Sequence, residues 1–212
     1  SGYSFRVYAD DRCHSSGWMS AERIFNTPEL NRRYDHVDLS VFTPKFAWVP
    51  SGFHAPEASR QMLSEVAAID EEDHVEYIEV PQFGAVLLYS LNVGGTLHKV
   101  ISETLMRTDG TKGRMLPEPY YMLSAMSGIA DYNKIVASYV DGYLYLVIAQ
   151  GKTLMLCNAY QASDFTTAEY FIFLAMKKLQ LNPEVSTISF RTPLSEEEEM
   201  SLYRYFKNVE QL

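Results

Sequence analysis

Lys134–Tyr160, KIVASYVDGYLYLVIAQGKTLMLCNAY, holds three apolar runs separated by two tight turns. The first run, Lys134–Val140, stops at Asp141-Gly142. This is a strong two-residue hairpin signal, because both positions tolerate positive φ. The second, Tyr143–Ala149, is Tyr, Leu, Val and Ile almost throughout and stops at Gln150-Gly151-Lys152; the third is Thr153–Tyr160. Strands without polar alternation are buried on both faces, so this meander needs helices to cover it. A helix follows at once, with Thr166 as its expected cap and Glu169 closing a capping box. Its body, Tyr170–Leu181, is apolar nearly all round (Phe171, Ile172, Phe173, Leu174, Met176, Leu179), which predicts burial on several sides. Asn182-Pro183 ends it; a strand over Val185–Thr192 and a helix from Ser195 complete the order β-β-β-α-β-α.

The totals exclude several function classes. A net charge of −9 over 212 residues opposes general binding to nucleic acid or anionic membrane, which needs concentrated positive charge. No run approaches the length of a membrane-crossing helix. Hydrophobic residues make up 47% of the chain, enough for a sizeable core, and the 15 tyrosines serve cores and interfaces alike. Cys13 and Cys157 lie far apart, and Cys157 falls inside a core strand, so a reducing cytoplasmic home is expected.

The N-terminal part resembles the central stretch. Gly2–Ala9 and Gly142–Ala149 both open Gly-Tyr, carry an aromatic at the fourth position and Val at the sixth, and end in Ala. Helix in two pieces is expected over Ser20–Tyr34, with Thr27 capping and Pro28 at the first position of the second piece. A strand is expected over His36–Phe42, extended chain over Thr43–Pro50, helix over Pro56–Ala68, and an acidic turn at Asp70–Asp73. Two strands, Val75–Val80 and Ala85–Asn92, precede Gly94-Gly95 and a helix over Thr96–Met106; Arg107–Pro119 reads as loop. Both halves thus read hairpin, helix, strand, helix. That doubling is the organisation of a mixed α/β, duplicated ribonuclease-H-like, actin-like ATPase fold. The boundary is placed near Asn92–Gly95, giving lobes over residues 1–93 and 94–212.

TPKFAWVP at 43–50, VDGYLYLVI at 140–148 and LCNAYQASDFTTAEYFIFLAMKKLQL at 156–181 resemble one bacterial family of unknown function. The resemblance implies an actin-like ATPase fold and no chemistry, and it transfers no functional residue. The second half has a strand, Lys134–Val140, before its Asp-Gly turn, whereas the first half begins at Ser1-Gly2. The matching strand is therefore expected upstream of Ser1.

An actin-like ATPase holds phosphates between Gly-containing hairpin turns, with carboxylates holding Mg²⁺. Asp141-Gly142 is the cofactor-binding candidate if a nucleotide binds, with ATP and Mg as the implied cofactors. The bulky Tyr143 and Leu144 follow it, which favours an ordinary hairpin. Two-metal chemistry would draw on Asp10, Asp11, Asp38 and Asp141. His14, His36, His54, His74 and His98 show no metal-ligand spacing. Glu196–Glu199 reads as the first turn of a helix capped by Ser195, with Glu198 completing a capping box. Lys45, Lys134 and Lys152 are the cations that could assemble a phosphate patch. Tyr120–Met126 reads equally as core or partner surface, and Leu202 and Phe206 as core. Two readings result: a non-catalytic actin-like scaffold acting through a protein partner, or an ATPase with atypical phosphate turns.

Overall fold

The computed structural model describes residues 2–9, 12–91, 107–111 and 114–212. Asp10, Asp11, Gly94-Gly95, His98, the helix expected over Thr96–Met106 and the boundary expected near Asn92–Gly95 lie outside the described residues. The chain divides into two compact units, Ser1–Leu39 with Val93–Met115, and Ser40–Asn92 with Leu116–Leu212.

In the first unit β1 (Arg6–Ala9) and β2 (Arg12–Ser15) form an antiparallel hairpin with Arg6 opposite Ser15. The short segment expected around Trp18 contributes a single bridge, Tyr3 to Met19. Helix α1 (Ala21–Phe25) is capped by Ser20, whose Oγ accepts the Arg23 N–H. A 3-10 turn over Pro28–Asn31 follows, with proline in its first turn, as the sequence requires. Thr27 sits at the N-cap, but its hydroxyl donates back to the Ile24 carbonyl instead of capping.

The second unit carries the core. Strand β3 (Leu39–Val41) is shorter than the expected His36–Phe42. Strand β4 (Phe46–Pro50), helix α2 (Ser59–Ser64), β5 (Val75–Val80) and β6 (Ala85–Ser90) follow, and the antiparallel sheet has the order β4-β6-β5. All six residues of β6 are buried, as befits a central strand. Strand β7 (Met115–Pro117), which pairs with β3, and helix α3 (Glu118–Ala125) begin inside the stretch expected to be loop.

The decisive stretch folds as read: β8 (Asn133–Val140), β9 (Tyr143–Gln150) and β10 (Thr153–Gln161). Then come helix α4 (Phe165–Lys178), β11 (Thr187–Phe190), helix α5 (Glu196–Tyr203) and β12 (Asn208–Gln211). The five strands order as β10-β9-β8-β11-β12, antiparallel through β8-β9-β10 and parallel from β8 to β11 to β12. The hairpin β1-β2 shares its antiparallel sense with β9-β10, but β1 pairs with β2 alone among the described residues, whereas β9 lies between two strands.

Burial on both faces of β9 sorts its residues by parity. Leu144, Leu146 and Ile148 join Ile135, Ala137, Ile188 and Phe190 under α4. Tyr145, Val147 and Ala149 pack with Met122 and Leu123 of α3, with Met126 just after it, and with Phe46, Leu87 and Tyr89 of the three-stranded sheet. Each fully buried Leu, Ile or Val side chain here contributes roughly 1.5–3 kcal/mol.

Two expectations for α4 are corrected. The cap is Asp164, not Thr166: its Oδ1 accepts the Thr167 N–H at 2.7 Å, and the helix begins at Phe165. The hydrogen bonds from Thr167 also hold the Asp164 carboxyl below its ordinary pKa. The helix buries one stripe, Ala168, Ile172, Ala175 and Met176, while Tyr170 stays exposed. Positions i, i+4, i+7 and i+8 share the fully buried face, and the flanks are half-buried, Phe171 stacking on Tyr160 and Phe173 packing on Tyr205 and Phe206. Cys157 behaves as the expected small hydrophobe, and burial pushes its thiol pKa up to about 12.

Candidate functional site

The Asp141-Gly142 turn is a tight hairpin with φ of 54° at Asp141 and 78° at Gly142. Val140 and Tyr143 pair directly across it. The Gly142 carbonyl accepts the Ala162 N–H at 2.8 Å, and the Ala162 carbonyl accepts the Tyr139 hydroxyl at 3.2 Å. Ala162 is fully buried, so the chain leaving β10 is strapped against the turn. Leu144 behind it is also fully buried. Phosphate binding at a turn needs several backbone N–H groups converging on open space. This turn offers two residues, and the Ala162 carbonyl oxygen stands beside it, 3.8 Å from where a side chain on Gly142 would start, an acceptor where an anion would have to sit. Gly142→Val should cost about 1–2 kcal/mol, because a β-branched residue is forced into the left-handed region. A denaturant midpoint unchanged from that of the parent chain would contradict this.

The other sequence-derived candidates are dispersed. Asp38 pairs with His36 at 3.0 Å, and both side chains are exposed. Asp141 stays at its turn. Among the described residues no three His, Cys, Asp or Glu side chains come together as a metal cluster. Lys45 lies 2.5 Å from Asp73 and 3.1 Å from Asp70, so two carboxylates already match its charge. Lys134 donates to the carbonyls of Met126 and Ile129, tying down the 3-10 turn after α3. Lys152 is exposed in the β9-β10 turn. Glu198 completes its capping box: its N–H meets Ser195 Oγ at 3.3 Å and its Oε2 accepts the Ser195 N–H at 2.7 Å. Met115, Tyr121, Met122 and Met126 are buried, which makes the Tyr120–Met126 stretch chiefly core; Leu202 and Phe206 are core as expected.

The structure assembles a polar cluster that the sequence reading does not contain. Glu118, the first residue of α3, is only 2% exposed. Its Oε1 accepts from Ser138 Oγ and from Arg191 Nε, each at 2.8 Å, and its Oε2 accepts from Ser40 Oγ. The Arg191 guanidinium lies over the Tyr121 ring, 5.6 Å from its centre. Beside it, Thr192 Oγ1 accepts the Tyr139 N–H at 2.8 Å. Ser138 is near the end of β8 and Arg191 directly follows β11, so the cluster ties the carboxyl ends of two parallel strands to the start of α3. Open α/β sheets place ligands beyond such strand ends. Here an internally satisfied ion pair stands at that place. Glu118 lies in a stretch read as loop and Arg191 is 73 positions away, so spacing gave no signal.

Two surface depressions lie elsewhere and open to solvent. Glu196, Glu197, Met200, Ser201 and Arg204 of the α5 region line one. Ser20, Glu22, Arg23, Asn26, Thr27 and Pro28 line the other, and neither includes Asp141.

A crystal structure from Bacteroides thetaiotaomicron, described as a protein with actin-like ATPase fold and unknown function, superposes with a TM-score of 0.70 at 16% identity. The match covers 100% of this chain and 86% of that one, so the fold is the mixed α/β fold of actin-like ATPases. A PilM-PilN type IV pilus biogenesis complex matches at a TM-score of 0.47 and 14% identity over 79% of this chain and 65% of that one, a likeness too low to bear on function. No curated protein matches the sequence. Residues 19–209 match the family described as protein of unknown function, DUF3822, and the chain belongs to that family.

Proposed function

We propose that this protein is a non-catalytic, cytoplasmic actin-like scaffold that works through contacts with a protein partner, its lobes spanning residues 1–93 and 94–212. The observation that carries this reading is the Asp141-Gly142 turn, strapped by Ala162 and followed by the half-buried Tyr143 and the buried Leu144. Two of the three cations that could form a phosphate patch are engaged elsewhere, Lys45 by Asp73 and Asp70 and Lys134 by backbone carbonyls, and Lys152 is exposed in the separate β9-β10 turn. A phosphoryl-transfer site instead needs open, amide-lined turns and cations directed at the phosphates. The acidic balance of the chain adds an unfavourable field for a polyanionic ligand. The cytoplasmic setting rests on two free cysteines, and no described helix is long and apolar enough to cross a membrane.

Calorimetric titration with Mg-ATP tests the reading, and no saturable heat is expected. Saturable binding at about micromolar affinity, abolished by Asp141→Ala, would overturn it in favour of an ATPase with atypical phosphate turns that binds ATP and Mg through Asp141 and Gly142.

A further inference from the structure

We propose that the edge of β5 that no described strand pairs docks an extended, positively charged segment of a partner protein. Among the described residues β5 pairs with β6 alone, through six consecutive pairs from Val75–Ser90 to Val80–Ala85 without a register shift. An edge strand turns roughly half of its backbone N–H and C=O groups outward. Another extended chain is the partner that satisfies such a row in register, which is the chemistry of strand addition.

The flanking charges select the kind of chain. Glu76 and Glu79 on β5 are exposed, as are Glu71 and Glu72 in the turn that leads into it. No Lys or Arg occurs between positions 71 and 80, and the two cations packed on the preceding turn, Lys45 and Arg60, are held by Asp70, Asp73 and backbone carbonyls. A second copy of this chain would set these glutamates against themselves, and like charges on facing strands destabilise pairing. A lysine- or arginine-bearing strand meets the opposite field. Tyr77 stands between the two strand glutamates, 41% exposed, with its ring centre 4.7 Å from that of His54. Phe53, beside His54 in the chain, is 77% exposed. Glutamates that only blunt an edge against self-pairing need no aromatic shelf beside it. The shelf gives the alternate, apolar residues of a docked strand a surface to cover.

This deepens the scaffold reading by naming a surface and a class of partner, and it rests on that reading only for its biological setting. Fluorescence anisotropy with three labelled hexapeptides tests it: alternating Lys-Val, alternating Glu-Val, and the Lys-Val peptide N-methylated at alternate backbone amides. The Lys-Val peptide is expected to bind about tenfold or more tightly than either of the others, since the first control reverses the charges and the second breaks the ladder. The doubly reversed variant Glu76→Lys/Glu79→Lys should invert the preference between the two charged peptides. Glu76 also accepts the hydroxyl of buried Tyr89 at 3.1 Å, so a thermal melt checks the double variant, and Glu79→Lys alone, at an exposed position, should weaken Lys-Val binding without disturbing that bond. Equal binding of the N-methylated peptide, unchanged preference in the double variant, or no binding by any peptide would overturn the proposal. None of these outcomes alters the Mg-ATP titration, and ATP binding would leave the peptide result standing.

Discussion

Arg191→Ala is expected to lower stability by about 3 kcal/mol, because it leaves a buried carboxylate without its counter-charge. Glu118 has 2% of its side chain exposed, while Arg191 keeps 28%. The two partners therefore lose unequally when the other is removed. Without Arg191, Glu118 retains the Ser40 and Ser138 hydroxyls but cannot reach water. Without the Glu118 charge, Arg191 can turn toward solvent and keep its place over Tyr121. Glu118→Gln should thus cost only about 1–2 kcal/mol, the range for a weakened buried hydrogen-bond set. Once Glu118 is neutral, the further loss of Arg191 should cost only about 1 kcal/mol. A double-mutant cycle by urea denaturation measures this directly. Additive losses for the two substitutions would show that the pair is not coupled.

The second large effect concerns Asp73, whose side chain has no solvent exposure. Its Oδ2 receives the Lys45 ammonium at 2.5 Å and the Asp70 N–H at 2.8 Å, and its Oδ1 receives the Ser90 hydroxyl at 3.0 Å. Arg60 closes the same turn from outside by donating to the carbonyls of Asp73 and Asp70. The arrangement joins the turn before β5 to the end of β6 and the start of β4. Asp73→Ala removes every acceptor at once and should cost about 2–4 kcal/mol, the range for losing a buried, charge-assisted hydrogen-bond set.

The pH dependence has a definite sign. The Lys45 hydrogen bond, then the Asp70 N–H, hold the Asp73 carboxyl below its ordinary pKa against the opposing effect of burial. A depressed folded-state pKa gives stability that is complete above the unfolded value, about 4, and is lost as pH falls through the folded value. Lys45 is shifted upward, first by Asp73, so its contribution is complete below its unfolded value and is lost only as pH rises through its raised folded value. The stability gap between the parent chain and Asp73→Asn should therefore be constant around neutrality and shrink below about pH 4. A gap that stays constant down to pH 2 would refute the assignment.

The sequence by itself determined the meander of β8, β9 and β10. Apolar runs of strand length and turn residues that accept positive φ at Asp141, Gly142 and Gly151 are local properties, set by the chain within a few residues. The same holds for the Ser195–Glu198 capping box and for Cys157 as a buried hydrophobe. The cap of α4 was also local, but Thr166 and Asp164 both present side-chain oxygens near the helix start, and the hydrogen bond to Thr167 N–H decided between them. Strand β12 carries no strand signal in its sequence, because NVEQ has little apolar character; its pairing with β11 comes from the crossover through α5. Only the tertiary structure could bring Glu118, Ser138 and Arg191 together, or commit Lys45 to Asp73 and so take it out of any phosphate patch. Those contacts join residues 20 to 73 positions apart. The sheet register and the packing of α3 against it decide them, and neither leaves a periodic trace in the chain.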